Sequence, residues 1–131
     1  MERARWTVHR GHRILFVDYS GLQNSDDVLA TIEQAKQLIV QEPENSVLIL
    51  SFIRDAKLDA TANQAIKDFA LHNQPYACAG AVVGASPIHR LLIEAARIFS
   101  NRDLHAFDTL AKAKEWLIQQ SRLAGSAEQT A

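Results

Sequence analysis

Cysteine is nearly absent, Cys78 being the single one. One thiol can form neither an internal disulfide nor a thiolate metal cage. It lies inside the apolar run Tyr76–Val83, where a buried, inert thiol is the expectation. Net charge is nearly absent as well. With 14 basic and 15 acidic side chains the formal charge is −1, so no global field draws the chain to nucleic acid or to an anionic membrane. No apolar stretch approaches the ~20 residues of a membrane span. The charged start Met1-Glu2-Arg3-Ala4-Arg5 leads into no apolar signal-peptide core. A cytoplasmic protein without an integral membrane segment is therefore expected. Gly-rich phosphate loops are missing. The five histidines (His9, His12, His72, His89, His105) form no HxxxH or HxH pair and have no cysteine neighbour, so neither a metal site nor a cofactor is expected. The basic residues Arg3, Arg5, Arg10 and Arg13, with His9 and His12 interleaved, stand in a chain of nearly neutral total charge and read as a solvated hairpin edge, not a nucleic-acid surface.

What is present suits one globular domain. The chain has 131 residues, 47% apolar and 22% charged, enough to bury a core without staples. Arg5–His9 and Arg13–Tyr19 are strand-like runs around Arg10-Gly11 and predict a β-hairpin. Asn24 or Ser25 can cap a helix whose stripe is Val28, Leu29, Ile32, Ala35, Leu38 and Ile39. Ser46–Phe52 is apolar on both faces, as in a strand from the middle of a sheet. Asp59 caps a second helix with Ala62, Ala65, Ile66, Phe69 and Ala70 inward, and Asn73 suits its C′ position ahead of Pro75. The strand Tyr76–Val83 turns through Gly84 and Ala85 into Ser86-Pro87, a cap and first-turn pair.

The helix predicted from Pro87 to about Phe99 is apolar around most of its circumference, with Arg90, Glu94 and Arg97 as a narrow polar edge. Such a helix is covered on more than one side. Ile88, Leu92, Ile93, Ala96 and Phe99 are the candidate interface residues. Leu104–Phe107 is a short last strand, and Asp108 is positioned to cap a final helix with Leu110, Ala113, Trp116 and Leu117 inward. From Ala124 onward the sequence has little to bury, so a single domain over residues 1–123 with a disordered tail over 124–131 is expected. The order ββαβαβαβα, with alternation after the hairpin, calls for an α/β fold and parallel pairing.

No catalytic constellation is legible. Gly84-Ala85-Ser86-Pro87-Ile88 carries the first glycine of a nucleophile elbow and lacks the second. Ser86 reads as an N-cap instead, and no enzyme is expected. The turn Gly84, Ala85, Ser86, His89 and Arg90 supplies backbone N–H groups and basic side chains for an anion, or is an ordinary strand–helix turn.

The stretches VDYSG (Val17–Gly21), SVLILSF (Ser46–Phe52), FALHNQPYACAGAVVG (Phe69–Gly84), FSNRDLHAFDT (Phe99–Thr109) and AKEWL (Ala113–Leu117) together resemble the SpoIIAA-like, STAS-type small bacterial proteins. These belong to the wider group that also holds the CRAL-TRIO lipid carriers. The resemblance covers most of Trp6–Leu117. It implies a β-α superhelix: a mixed sheet with an antiparallel N-terminal hairpin, otherwise parallel strands in nearly sequential order, and helices mainly on one face. In STAS-type anti-sigma antagonists a serine at the start of the second helix, within Asp-Ser-Ser/Thr-Gly, is phosphorylated. The matching turn here is Asp59-Ala60-Thr61-Ala62. Asp59 fits, Ala60 stands in the phosphoacceptor's place, Ala62 replaces the glycine, and Thr61 has a hydroxyl one residue on. Two functional readings follow. One is a non-catalytic interaction or regulatory module that self-associates, as a homodimer or with another protein. The other is a small hydrophobic-ligand or lipid-binding protein with an anion site at the start of the helix from Pro87.

Overall fold

The structure, a computed structural model, describes residues 2–87, 89, 90, 93 and 104–130, with backbone alone for 124–130. Strands β1 (Ala4–His9) and β2 (His12–Asp18) form the hairpin, joined by the two-residue turn Arg10-Gly11. Helix α1 (Ser25–Ile39), strand β3 (Val47–Phe52), helix α2 (Ala60–Asn73) and strand β4 (Ala77–Val83) follow. Strand β5 (Leu104–Phe107) and helix α3 (Leu110–Thr130) end the described chain. The backbone is also helical at Pro87, His89, Arg90 and Ile93. Ile88, Leu92, Ala96 and Phe99 lie outside the described residues.

The five strands lie in the order β1-β2-β3-β4-β5, antiparallel in the first pair and parallel thereafter. Alternation divides the core into two layers. Leu15, Val17, Val47 and Ile49 face α1 and α2, against Val28, Ile32, Ala35, Ile39, Ala62 and Phe69. Ile14, Phe16, Leu48, Leu50, Ala79, Ala81 and Val83 face the opposite way, against Ala113 and Leu117 of α3. β3 is buried on both faces, which is why its sequence does not alternate. Two of the three described helices share one face, and α3 covers the other over β3, β4 and β5.

That cover bears on the expectation of a dimer. One basis for it, helices mainly on one face of the sheet, would leave the other face to a partner, and α3 supplies that cover from within the chain. The other reason, the helix from Pro87 to about Phe99, lies largely outside the described residues.

The helix starts follow their side chains. Asn24 Oδ1 accepts the Asp27 N–H at 2.9 Å, and Asp59 Oδ1 accepts the Ala62 N–H at 2.8 Å. Both satisfy donors that a first turn leaves unpaired. Two local expectations differ. Asn73 is the last helical residue of α2 and is buried, not at C′, because its carbonyl accepts the Tyr76 N–H at 2.9 Å and holds the chain against the helix end. Thr109, not Asp108, caps α3: its Oγ1 accepts the Lys112 N–H at 3.2 Å. The backbone of α3 is helical to Thr130.

Candidate functional site

Strand β4 reads Ala-Cys-Ala-Gly-Ala before its two valines. In a parallel sheet a central strand normally carries Val, Ile or Leu, which fill the space up to the helices. Here Gly80 has no side chain, and α2 opposite carries Ala70 beside Ile66. The ladders of β3 and β5 hold β4 on both sides, so the sheet cannot move up to fill the gap. The result is a cavity of about 510 Å³. Its floor includes Ile49, Ser51, Gly80 and Val82, and its wall includes Ile66, Ala70 and Asn73 of α2. His89, Ile93 and Leu104 line it from the side of the helix that begins at Pro87.

Seven of the described lining residues are polar: Tyr19, Ser51, Asn63, Lys67, Asn73, Gln74 and His89. Tyr19, just beyond β2, is 1% exposed and lines it, as does Asn73 at 3%. The Tyr19 N–H donates to Phe52 O at 2.8 Å, which seats the residue at the C-terminal ends of the strands. Burial pushes its phenol pKa well above the ordinary value. Asn73 enters from the other end, at the close of α2, with its Oδ1 3.3 Å from His72 Nδ1. Ser51 adds a hydroxyl and Lys67 a cation at the exposed edge. No Asp or Glu is among the described residues that line the cavity.

The turn predicted as an anion site lies beside this cavity. Gly84 has φ +92°, and a Cβ there would come within 2.7 Å of Arg54 N. Only glycine permits both the backbone conformation and the close approach. Ser86 is the N-cap. Its Oγ accepts the His89 N–H at 3.3 Å and lies 3.0 Å from His89 Nδ1, while its carbonyl accepts the Arg90 N–H at 2.9 Å. Arg90 is ion-paired with Asp108, tying the start of this helix to the end of β5. The groups expected to receive an anion are thus engaged with one another and with Asp108, and His89 alone of Gly84, Ala85, Ser86, His89 and Arg90 lines the cavity. Of the candidate interface residues, Ile93 lies on the cavity wall.

At the second turn, Asp59 caps α2, and Ala60 and Thr61 stand exposed in its first turn. The Thr61 hydroxyl is at the surface near the helix N-terminus, one residue beyond Ala60. Among the described residues no three His, Cys, Asp or Glu side chains converge as a metal site, and no helix is long and apolar enough to cross a membrane.

Tyr19, Ser51 and Lys67 were not singled out from the sequence, and Asn73 was read only as a helix-end residue. The available signal was the run Ala77–Ala81, five small residues in a strand whose neighbours are large. Such a run marks where a strand leaves space.

No known family model matches the chain, and no curated protein does. A solved structure does: an uncharacterised protein of the DUF3478 family from Shewanella loihica PV-4, which has a SpoIIAA-like fold. It is 16% identical to this chain, with a TM-score of 0.63 over 87% of this chain and 91% of that one. The sequential mixed sheet, the antiparallel opening hairpin and this likeness agree with the resemblance in the sequence: the chain has a SpoIIAA-like fold.

Proposed function

We propose that this chain is a non-catalytic binding protein that takes a small hydrophobic molecule into the cavity between α2 and strands β3 and β4. The observation that carries the reading is the cavity: about 510 Å³, within the roughly 300–1,000 Å³ of small-molecule sites. Its lining is largely apolar with a few polar groups, the usual composition of such a site. Lys67 at the exposed edge favours an anionic end group there, with the hydrocarbon body inside.

The test is native mass spectrometry of freshly purified protein, followed by calorimetric titration with palmitate. Saturable one-to-one binding that Ile66→Trp abolishes is the expected result, since the indole would occupy the cavity. Titration with no saturable heat, and no copurified mass, rejects the reading.

Self-association is the second reading. The large apolar side chains left exposed among the described residues are Val8, Leu29, Val40, Leu71 and Leu123, the surface a second copy would cover. Sedimentation velocity showing only monomer at tens of micromolar rejects it.

A further inference from the structure

The Tyr19 hydroxyl is out of place in its surroundings. The residue is 1% exposed, and its neighbours on the cavity wall include Ile49, Ile53, Ile66 and Phe69. Among the described residues, every side-chain nitrogen or oxygen sealed from solvent has a hydrogen-bond partner. The Tyr19 hydroxyl has no partner among them. The residue lines the cavity, and its hydroxyl is not among the fully sealed groups. A phenylalanine would fill the same wall without the cost of a buried donor lacking an acceptor.

We infer that the cavity takes an apolar molecule carrying a hydrogen-bond acceptor on its hydrocarbon body, a carbonyl oxygen being the simplest, and that the Tyr19 hydroxyl donates to it. This rests on the reading of the cavity as a ligand site and adds a requirement that a plain hydrocarbon chain does not meet. A site that hydrogen-bonds a ligand discriminates against an analogue lacking the partner, because the buried group is then left unpaired. Burial favours the protonated phenol, so the group acts as a donor at any physiological pH.

The test compares stearate with a set of ketostearates that differ in carbonyl position. Each is titrated into the wild-type protein and into Tyr19→Phe, with the fold of the variant checked by circular dichroism. The expected result is that at least one ketostearate binds the wild type about tenfold tighter than stearate. Tyr19→Phe brings that ratio to about one and leaves stearate affinity unchanged. Equal binding of all probes to the wild type overturns the inference, as does a preference that survives Tyr19→Phe. Binding of no probe to the wild type overturns the ligand site itself, which is a different outcome. Should the variant not fold, infrared spectra of the wild-type complex decide: the ketone stretch of the bound probe moves to lower frequency if the hydroxyl donates, and an unshifted stretch overturns the inference.

Discussion

Replacing Gly84 by alanine tests whether the turn beside the cavity is held as the geometry requires. The residue sits at φ +92°, a conformation that costs an L-residue about 1–2 kcal/mol. An added Cβ would also lie 2.7 Å from Arg54 N, 2.8 Å from Arg54 Cα and 2.9 Å from Arg54 Cβ. Two of these are backbone atoms, which cannot swing aside as a side-chain tip can. The loop after β3 must then shift, and with it the bond from Ile53 N to Val83 O at 2.9 Å, worth about 1 kcal/mol net. Together these give a loss of about 3 kcal/mol, or a melting temperature lower by roughly 10 °C. Gly21→Ala is the internal control. Its φ is +71° and nothing lies within 4 Å of the added Cβ, so the conformational cost stands alone at about 1 kcal/mol. Urea unfolding followed by circular dichroism measures both. If Gly84→Ala costs no more than Gly21→Ala, the close approach to Arg54 is not a constraint and the argument fails.

Two further outcomes concern titration. Tyr19 has its phenol pKa raised by burial, so below the unfolded value of about 10 the group is neutral in both states and neutral to stability. As pH rises past that value the unfolded phenol ionises and the folded one does not, and stability falls by up to about 1.4 kcal/mol per pH unit. Tyr19→Phe removes this part of the alkaline loss, read as the change in urea midpoint above pH about 10; an identical slope in both proteins refutes it. Glu115 is the opposite case. A hydrogen bond with His9, at 2.9 Å, and then the charges of Arg10, His9 and Arg122 hold its carboxyl below the ordinary value, against a smaller opposing desolvation. Its contribution is complete above the unfolded pKa of about 4.3 and is lost as pH falls through the lower folded value. Glu115→Gln is accordingly expected to show a shallower acid loss below pH about 4.3 than the wild type, and an equal or steeper one refutes the assignment.

The parts of the fold that were readable from sequence are those where local chemistry and tertiary packing agree. β3 has no polar face because it has no solvent face. Asp59 and Ser86 stand where α2 and the following helix need an acceptor, and both accept as expected. The hairpin turn fell where Gly11 placed it. The misreadings sit where a distant partner decides. Asp108 looks like a cap from its neighbours alone, but Arg90, 18 residues earlier, takes its carboxylate, and Thr109 caps instead. Asn73 looks like a C′ residue, yet the reverse turn to Tyr76 draws it into the core. Tyr19 was visible only as the end of a strand, because its placement on the cavity depends on α2 and β4, both far along the chain.

The cavity itself follows from what β4 lacks, and it has an energetic consequence. The cavity opens to solvent at the Lys67 edge, and its apolar wall there lacks the packing partners a filled core would supply. Closing it by collapse is prevented from three sides. β4 is fixed by the ladders of β3 and β5. α2 is fixed at one end by the Asp59 cap and at the other by the bond from Tyr76 N to Asn73 O. Gly84 locks the strand end against Arg54. Each ordered water needs two to four polar partners, which the part of the lining formed by Ile49, Ile53, Ile66 and Phe69 does not offer. A hydrophobic molecule meets the apolar wall, needs few hydrogen bonds and supplies those packing contacts. Ligand binding is therefore expected to stabilise the fold as well as to fill the site.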